Sequence, residues 1–382
     1  MEQASLQERA AVWRRHLHAN PELSLHEQET ARFVCEQLEA LGVPFVAGVG
    51  GHGVVATLRR GASNRSVGLR ADMDALPIEE ATGLPHASRR PGVMHACGHD
   101  GHTASLLAAA VLLARDDDWS GTVQLVFQPA EEGAGGALAM IADRLFERFP
   151  MERIFAFHNW PGLDAGTVAV HAGPVMAAGS RVEIRLQGHA GHAAMPHLAH
   201  DPVVAAGHLI AALQSVVARE VNPLDAAVVS ICTVEAGTAI NQIPECVTLR
   251  GTFRAYRPEV HDEVGASIRR IADGIGAAFG VGAETEFRSS VVATVNSAAE
   301  ADLAASATTG IGLALRRDLP PSTASEDFGW YLREKPGTFA WIGNGPAEGG
   351  RELHSPSYDF NDEILLTAAQ WLAAVAKQAL RG

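Results

Sequence analysis

The sequence has few cysteines, no excess of positive charge and no long apolar run, and each absence excludes a class of protein. Its four cysteines include no Cys-x-x-Cys pair, which argues against a disulfide framework. The formal net charge of −14 argues against nucleic acid or an anionic membrane as a partner, because phosphate groups are bound mainly by an excess of Lys and Arg. The longest apolar stretch, residues 106–114, is too short to cross a bilayer.

Residues 1–17 mix charged and apolar side chains and lack the apolar core of a signal peptide, so we expect a cytoplasmic protein. Hydrophobic residues make up 47% and charged residues 19% of the chain, which is the composition of a folded soluble enzyme. A length of 382 residues exceeds that of one compact domain and predicts at least two.

One octapeptide, residues 95–102, carries five potential metal ligands, which are His95, Cys97, His99, Asp100 and His102. A helix-like apolar run follows it. Cys97 and His99 are two positions apart, a spacing that does not place two side chains on one face of a helix, so we expect both to reach a common point from a loop or irregular turn. Mixed Cys, His and Asp tracts are typical of metal sites, although a helix N-terminus with polar residues is the alternative.

Three apolar runs elsewhere predict strands that end in ionisable residues. The runs and the residues after them are 67–71 with Asp72 and Asp74, 122–128 with Glu131 and Glu132, and 154–157 with His158. Ligands and catalytic groups gather at the carboxyl ends of strands in an α/β sheet. We therefore expect these side chains to lie at one edge of the sheet.

Nearer the N-terminus, Ser24 and Glu27 have the spacing of a capping box and predict a helix that starts at Ser24.

From Ser180 the pattern changes to alternating apolar and polar residues. The strands predicted there are 180–187, 226–234, 246–254 and 284–288, with helices at 202–218 and 259–279. The order β-α-β-β-α-β is that of a ferredoxin-like domain. We therefore expect an α/β fold in which residues 1–178 and 291–382 form a metal-binding catalytic domain and residues 179–290 form an inserted ferredoxin-like domain.

The candidate ligands exceed what one structural zinc ion needs. Together with His354, which follows a last predicted strand, they are Asp72, Asp74, Cys97, His99, Glu131, Glu132, His158 and His354. A structural zinc site closes with four protein ligands, whereas two hydrolytic metal ions need more ligands and an open position for water. Adjacent side chains point in different directions, so one of Glu131 and Glu132 can bind a metal while the other serves as a general base and acid. An ordinary acidic loop is the alternative for this pair.

Seven segments resemble the aminoacylase and carboxypeptidase G metallopeptidase family, in order and nearly end to end. They are 18–23, 70–77, 95–102, 128–133, 191–197, 325–328 and 354–360. The closest similarity is to the branch of hippurate hydrolases, N-acyl-amino-acid amidohydrolases and auxin-conjugate hydrolases. This resemblance implies an α/β catalytic domain with an inserted ferredoxin-like lid, and a homodimer formed through that lid.

The resemblance also implies a role for each matching residue. It implies five ligands to two divalent metal ions, which are Cys97 as the bridge, His99, Glu132, His158 and His354. Glu131 would be the general base, and Asp74 would orient a ligating histidine. In the lid, His192 would stabilise the oxyanion in the partner's active site, and Asn241 and Arg254 would hold the substrate's carboxylate. The ions could be zinc or manganese, with cobalt or nickel also possible.

Together with these residues, the resemblance implies an enzyme that cleaves the amide bond of a small N-acyl or N-aroyl amino acid. A dipeptidase or exopeptidase on the same metal ions is the alternative enzyme, and Trp160, Phe328, Trp330 and Trp341 could either line an acyl pocket or belong to the core. A metal-dependent binding protein without turnover is the non-enzyme alternative. It predicts that the general base or the fifth metal ligand is missing from the sequence, and neither is missing. A zinc deaminase is excluded, since no Pro-Cys-x-x-Cys follows the histidine motif.

Overall fold

The computed structural model describes residues 3–381 as a mixed α/β fold, as predicted. The described helices are α1 (Gln3–Ala19), α2 (Gln28–Ala40), α3 (His99–Arg115), α4 (Gly136–Ala142), α5 (Leu145–Arg148), α6 (Pro202–Ser215), α7 (Pro258–Phe279), α8 (Ala298–Gly310), α9 (Gly329–Glu334) and α10 (Leu365–Arg381). The described strands are β1 (Phe45–Val49), β2 (Gly53–Arg60), β3 (Ser66–Asp72), β4 (Gly121–Gln128), β5 (Arg153–Pro161), β6 (Val168–Ala169), β7 (Gly173–Met176), β8 (Ala178–Gln187), β9 (Gly191–His192), β10 (Ala227–Ala236), β11 (Gln242–Ile243), β12 (Cys246–Ala255), β13 (Gly282–Val291), β14 (Thr294–Asn296), β15 (Leu315–Arg316) and β16 (Gly337–Gly345).

The chain divides into two compact units. The first comprises Met1–Val175, Val295–Pro320 and Asp327–Gly382, and the second comprises Met176–Thr294 and Pro321–Glu326.

The first unit is built on an eight-stranded sheet in the order β1-β2-β4-β3-β5-β16-β6-β15. Strands β4, β3, β5 and β16 are neighbours and run parallel, so their carboxyl ends meet at one edge. Nearly every residue of β3 and β4 is buried, which explains why these strands are continuous apolar runs. The three strands predicted to deliver ionisable residues therefore end side by side.

Helix α3 packs in the core of this unit and is buried along almost its whole length. Full burial of Leu106 and of Leu107 stabilises the fold by about 2 kcal/mol each. The helix begins at His99, four residues before the apolar run that predicted it. His99 therefore lies in the first helical turn, and only Cys97 lies in the preceding loop.

The second unit has the element order β8-α6-β10-β12-α7-β13 and a four-stranded antiparallel sheet in the order β10-β12-β8-β13. Val182, Ile184 and Leu186 alternate with exposed Arg181 and Arg185 along β8, so one face of the sheet is apolar. The two helices contribute the rest of this core.

One described segment, Pro202–Glu220, is long and apolar enough to span a membrane by length and composition. Its residues Ala205, Leu209, Leu213 and Val216 are buried in the core of the second unit, whereas Val203, Val204 and Val217 are exposed. This is the pattern of an amphipathic helix packed on a sheet.

The predicted helix start at Ser24 is wrong. Helix α2 begins at Gln28, and the side chain of its N-cap residue, Glu27, makes no capping hydrogen bond; Glu22 Oε2 accepts one from the backbone N–H of Thr30 at 2.9 Å. Ser24 Oγ instead donates a hydrogen bond to Asp74 Oδ2 at 2.6 Å, and Glu27 Oε1 accepts one from the backbone N–H of Ala130 at 2.7 Å. Both side chains contact segments far away in the chain, and those contacts replace the local capping box.

Candidate metal centre

Gly98 makes the sharp turn that separates Cys97 from helix α3. Its φ of +92° lies in the left-handed region, and an added Cβ would lie 2.2 Å from Asn159 Oδ1 and 2.5 Å from the hydroxyl oxygen of Tyr358. Only glycine fits there without strain. This turn lets the side chains of Cys97 and His99 approach a common point although they are two residues apart.

The structure gathers all five predicted ligands and the predicted base at the carboxyl edge of the large sheet. Their donor atoms form three overlapping groups, each within 4.8 Å, which are Cys97 with His99 and His158, Cys97 with Glu132 and His354, and His99 with Glu131 and Glu132. Donors that share one tetrahedral zinc ion lie about 3.3–3.8 Å apart. Cys97 Sγ lies 3.3 Å from His158 Nε2, and Glu132 Oε1 lies 3.3 Å from His354 Nε2.

His354 reaches this cluster from a residue in the left-handed region, with a φ of +65°. Its backbone N–H donates a hydrogen bond to Ala96 O at 2.8 Å, which fixes the segment beside Cys97. The imidazole of His354 is half-exposed, whereas Cys97, His99 and His158 are buried. The cluster is therefore open to solvent on the side of His354.

Two buried polar atoms in the cluster, His99 Nε2 and Glu132 Oε1, make no hydrogen bond among the described residues, although His354 Nε2 lies 3.3 Å from Glu132 Oε1. They lie 4.0 Å apart, and Glu131 Oε2 is also 4.0 Å from His99 Nε2. A buried polar atom without a partner costs about 1–3 kcal/mol, so both atoms are suited to a ligand. A thiol, imidazoles and carboxylates together form a donor set that fits divalent transition metal ions.

Hydrogen bonds on the far side of each ring direct Nε2 of the two buried histidines into the cluster. His99 Nδ1 lies 3.2 Å from Asp74 Oδ1, and His158 Nδ1 lies 2.7 Å from the backbone oxygen of Asn159. Asp74 Oδ2 also accepts a hydrogen bond from the backbone N–H of Glu132 at 2.9 Å. Asp74 thus lies where a carboxylate that orients a ligating histidine is expected to lie.

Negative charge accumulates in this buried site and shifts the pKa values of its members. Burial raises the pKa of the Cys97 thiol, and the carboxylates of Glu132, Glu131 and Asp72 raise it further, to well above its usual range. Burial alone would lower the pKa of His99, but Asp72, Asp74 and Glu132 raise it to about 10. Such a concentration of carboxylates is expected where a cation binds.

Glu131 lies on the loop that follows β4, next to Glu132. The loop begins near Ala130, whose φ is +57°, and Glu131 is buried, with 7% of the residue exposed. Glu131 Oε1 accepts a hydrogen bond from the backbone N–H of Asp327 at 3.3 Å, while Oε2 faces His99. The two adjacent glutamates therefore both reach the cluster. Glu131 reaches it through Oε2, which faces His99, and Glu132 reaches it through Oε1, which lies near His354.

The other three potential ligands of the octapeptide do not join this cluster. Asp100 Oδ2 lies 2.8 Å from His18 Nδ1, and neither ring nitrogen of His95 has a hydrogen-bond partner among the described residues. His102 forms a close group with Asp72 and His99, but its Nδ1 is 2.6 Å from Asp72 Oδ1. Asn159 Oδ1 lies 2.8 Å from His102 Nε2. Both ring nitrogens of His102 therefore have hydrogen-bond partners, and neither is available to a metal.

Sequence reasoning missed several members of a layer of buried polar residues behind the cluster. The missed residues are Arg70, Gln128, Asn159, Asp327 and Tyr358, and they lie with Asp72 and His102, which the sequence had offered as ligands; all seven are buried. Asn159 Nδ2 donates to the Tyr358 hydroxyl at 2.6 Å, and Asp72 Oδ2 accepts from Arg70 at 2.7 Å. Polar residues within or directly after otherwise apolar strands are the signal by which Arg70, Gln128 and Asn159 could have been found.

The three predicted lid residues lie in the second unit. His192 is on β9 and pairs with Gln242 on β11, and the backbone N–H of Ala193 donates to the backbone oxygen of Asn241 at 3.0 Å. His192 and Asn241 are exposed. Arg254 is on β12, half-buried, and donates to Thr252 Oγ1 at 2.9 Å.

Known proteins similar to this chain include amide hydrolases and a metal-binding peptidase. The model of Peptidase family M20/M25/M40 matches residues 68–378. A hippurate hydrolase of Campylobacter jejuni is 41% identical over 96% of this chain and 96% of its own length, and an N-acetyl-L-cysteine deacetylase of Bacillus subtilis is 39% identical over 96% and 87%. A Bacillus subtilis crystal structure, described as a dinuclear metal-binding peptidase of the M20 family, is similar with a TM-score of 0.88 and 35% identity over 99% of both chains.

The family model and the relatives both extend over most of the chain, and the predicted family resemblance is confirmed. Because the match includes every segment that carries the cluster, the chain belongs to Peptidase family M20/M25/M40 and is a hydrolase of amide bonds whose candidate metal ligands gather at the edge of its large sheet.

Proposed function

We propose that this protein hydrolyses the amide bond of N-acyl or N-aroyl amino acids at a centre of two divalent metal ions. The observation that carries the proposal is the convergence of Cys97, His99, Glu132, His158 and His354 with Glu131 beside them. Five donors and a further carboxylate exceed what one ion uses. Bound ions would polarise the substrate carbonyl and acidify water.

In this proposal Glu131 takes the proton of the attacking water and later gives it to the leaving amino group. The water oxygen bonds to the acyl carbon, the C–N bond breaks, and a carboxylate and a free amino acid result. The position of Glu131 supports this role, since Oε1 is fixed by Asp327 while Oε2 faces the cluster. Asp74 keeps Nε2 of His99 directed into the site through its contact with Nδ1.

We propose that the second unit is a ferredoxin-like lid through which two copies of the chain dimerise. Its element order β-α-β-β-α-β and antiparallel sheet support this assignment. His192 would stabilise the oxyanion in the partner's active site, and Asn241 and Arg254 would bind the substrate's carboxylate. A His192→Ala variant is expected to lose kcat but to keep its metal ions, and a strictly monomeric protein with full activity would contradict the arrangement.

The names of the relatives favour N-acyl amino acids over free dipeptides as substrates, since one relative acts on hippurate and another on N-acetylcysteine. A dipeptidase on the same ions is the second candidate. Comparing the hydrolysis of hippurate, N-acetyl amino acids and free dipeptides separates the two. The third candidate, a binding protein without turnover, predicts no product with any of these compounds.

The decisive experiment uses protein loaded in turn with zinc, manganese, cobalt or nickel and assayed against that substrate panel. A Glu131→Gln variant is expected to retain its metal ions and to lose about 100-fold or more in kcat. Glu147→Gln, the same change at an exposed glutamate of the first unit, is the matched control and should remain active. Near-normal turnover by Glu131→Gln would show that the proposed base is wrong.

We also propose that the enzyme acts in the cytoplasm. All four cysteines are free thiols, which favours a reducing compartment. Fractionation of the producing cells, followed by an activity assay, tests this location.

A further inference from the structure

Arg70 on β3 is a buried cation with three fixed partners. Its side chain is fully buried, and its donors contact Asp72 Oδ2 at 2.7 Å, Gln128 Oε1 at 2.8 Å and Asp327 Oδ1 at 3.1 Å. A buried guanidinium costs several kcal/mol unless its donors are paired, and its planar shape allows few arrangements of the acceptors. These contacts therefore define where the carboxylate of Asp327 lies.

That carboxylate holds both ends of the loop that carries Glu131. Gln128 Nε2, at the start of the loop, donates to both oxygens of Asp327 at 2.8 and 2.9 Å. The backbone N–H of Ala137, after the loop, donates to Asp327 Oδ2 at 2.9 Å. The loop between them includes Ala130 in the left-handed region, a conformation that costs about 1–3 kcal/mol and persists only where the surroundings hold it.

Asp327 also contacts Glu131 itself. Its backbone N–H donates to Glu131 Oε1 at 3.3 Å, and this leaves Glu131 Oε2 at 4.0 Å from His99 Nε2. One residue thus holds the loop through its side chain and orients the glutamate through its main chain.

We propose that Asp327, held by Arg70 and Gln128, is a positioning residue that fixes the carboxylate of Glu131 for proton transfer. The inference rests on the proposed function, because it takes Glu131 to be the base. Displacement of a reacting group by about 1 Å can cost about 100-fold in rate. Asp327 acts through Glu131, so its loss should change kcat and leave substrate binding and metal content unchanged.

The test is Asp327→Asn, which keeps the main-chain donor and the side-chain shape but replaces one acceptor oxygen by a donor. The new amide NH2 then faces one of the three groups that donate hydrogen bonds to the carboxylate in the wild type, so that hydrogen bond is lost. We expect kcat to fall about 100-fold, KM to stay within about threefold and the metal-to-protein ratio to match that of the wild type. Metal content is measured by mass spectrometry of the purified full-length protein.

Asp359→Asn is the matched control. Asp359 Oδ1 also accepts a hydrogen bond from a fully buried arginine, Arg14, at 2.8 Å, but Asp359 has no hydrogen bond to Glu131. The Asp359→Asn variant weakens one charged contact with a buried arginine and leaves the loop that carries Glu131 unchanged. We expect its kcat to stay within about twofold of the wild type.

Arg70→Lys, alone and combined with Asp327→Asn, tests whether the two residues act as a unit. A lysine keeps the charge but cannot contact three acceptors in one plane. The double variant should lose no more kcat than Asp327→Asn alone. If Arg70→Lys does not fold, Asp327→Asn by itself decides the question.

Two results would overturn the inference. One is a wild-type kcat in Asp327→Asn, and the other is a loss of metal in proportion to the loss of kcat, because Asp327 would then only support the ligands. The Glu131→Gln variant separates a failure of the positioning role of Asp327 from a failure of the proposed base, Glu131. If Glu131→Gln is inactive and Asp327→Asn is active, only the positioning role is wrong, whereas an active Glu131→Gln removes the proposed base and this inference together.

Discussion

Asp74 Oδ1 lies 3.2 Å from Nδ1 of His99, and this contact leaves Nε2 as the ring nitrogen that faces the candidate metal ligands. The other oxygen of Asp74 accepts hydrogen bonds from Ser24 Oγ at 2.6 Å and from the backbone N–H of Glu132 at 2.9 Å. One buried carboxylate therefore orients a candidate ligand from helix α3 and another from the loop after β4.

Replacing Asp74 by alanine should weaken metal binding by about 10–100-fold, because His99 loses the partner that orients its ring. Competition with a chromophoric chelator measures the affinity. Ser24→Ala is the matched control, since it removes one donor to Asp74 and keeps the contact with His99, and its effect should be smaller. An unchanged affinity in the Asp74 variant would mean that the ring is held by other contacts.

Gly98→Ala should lower the free energy of unfolding by about 3 kcal/mol or more and reduce metal content. The new Cβ would lie 2.2 Å from Asn159 Oδ1 in a residue whose φ is +92°, so the turn between Cys97 and His99 must move. Gly83→Ala is the control, because Gly83 also has a positive φ, +66°, but an open space around its Cβ position. That variant should lose about 1 kcal/mol. Urea midpoints measure both, and equal losses would contradict the steric argument.

The stability of the protein should depend on pH through His18. Burial alone would lower the pKa of His18, but Asp100, 2.8 Å away, and Glu80 raise it from 6.5 to about 9. Because the folded value lies above the unfolded one, the contribution is fully present below pH 6.5 and is lost as the pH rises through 9. Its upper limit is about 3 kcal/mol.

His18→Gln should therefore be less stable than the wild type at pH 6, and the difference should narrow toward pH 10. Urea denaturation at several pH values measures the two proteins side by side. A difference that stays constant over this range would show that His18 contributes by packing and not by its charge.

Metal binding should release protons. The pKa of the Cys97 thiol is raised well above its usual range, and that of His99 is raised to about 10, so both groups carry their protons at neutral pH when no metal is bound. Ligation requires a thiolate and a neutral imidazole. We therefore expect release of about two protons per chain on metal binding, one from each group.

Calorimetric titration with metal in buffers of different ionisation enthalpy measures this number. Cys97→Ala should release about one proton fewer, because the thiol is its source. Binding of metal by the wild type without any proton release would contradict the expected protonation of both groups.

The candidate ligands could be identified from the sequence because donor chemistry and strand periodicity are local. Cys97, His99 and His158 follow or precede apolar runs whose burial is evident from composition, and parallel strands end at one edge of a sheet. Ser24 and Glu27 show where this reasoning failed. Their spacing matches a capping box, but hydrogen bonds to Asp74 and Ala130, residues distant in the chain, determine their positions.

Residue types also could not distinguish His99 from His102, since the two imidazoles occur three residues apart in the same octapeptide. The difference lies in their neighbours. Asp72 and Asn159 contact both nitrogens of His102 within hydrogen-bond distance, whereas Nε2 of His99 has no hydrogen-bond partner among the described residues. Similarly, Asp72 had no definite role until its contacts with Arg70 and His102 were visible.

The β-α-β-β-α-β order of elements in the second unit, the donor set and the family resemblance were available from the chain alone, because each depends on residue identity and on short-range spacing. Which nitrogen faces the ligands, which glutamate oxygen is held and which arginine holds the loop of Glu131 depended on the folded molecule. Each of these is a hydrogen bond between residues far apart in the chain, and its geometry is fixed only when burial removes water as a competing partner.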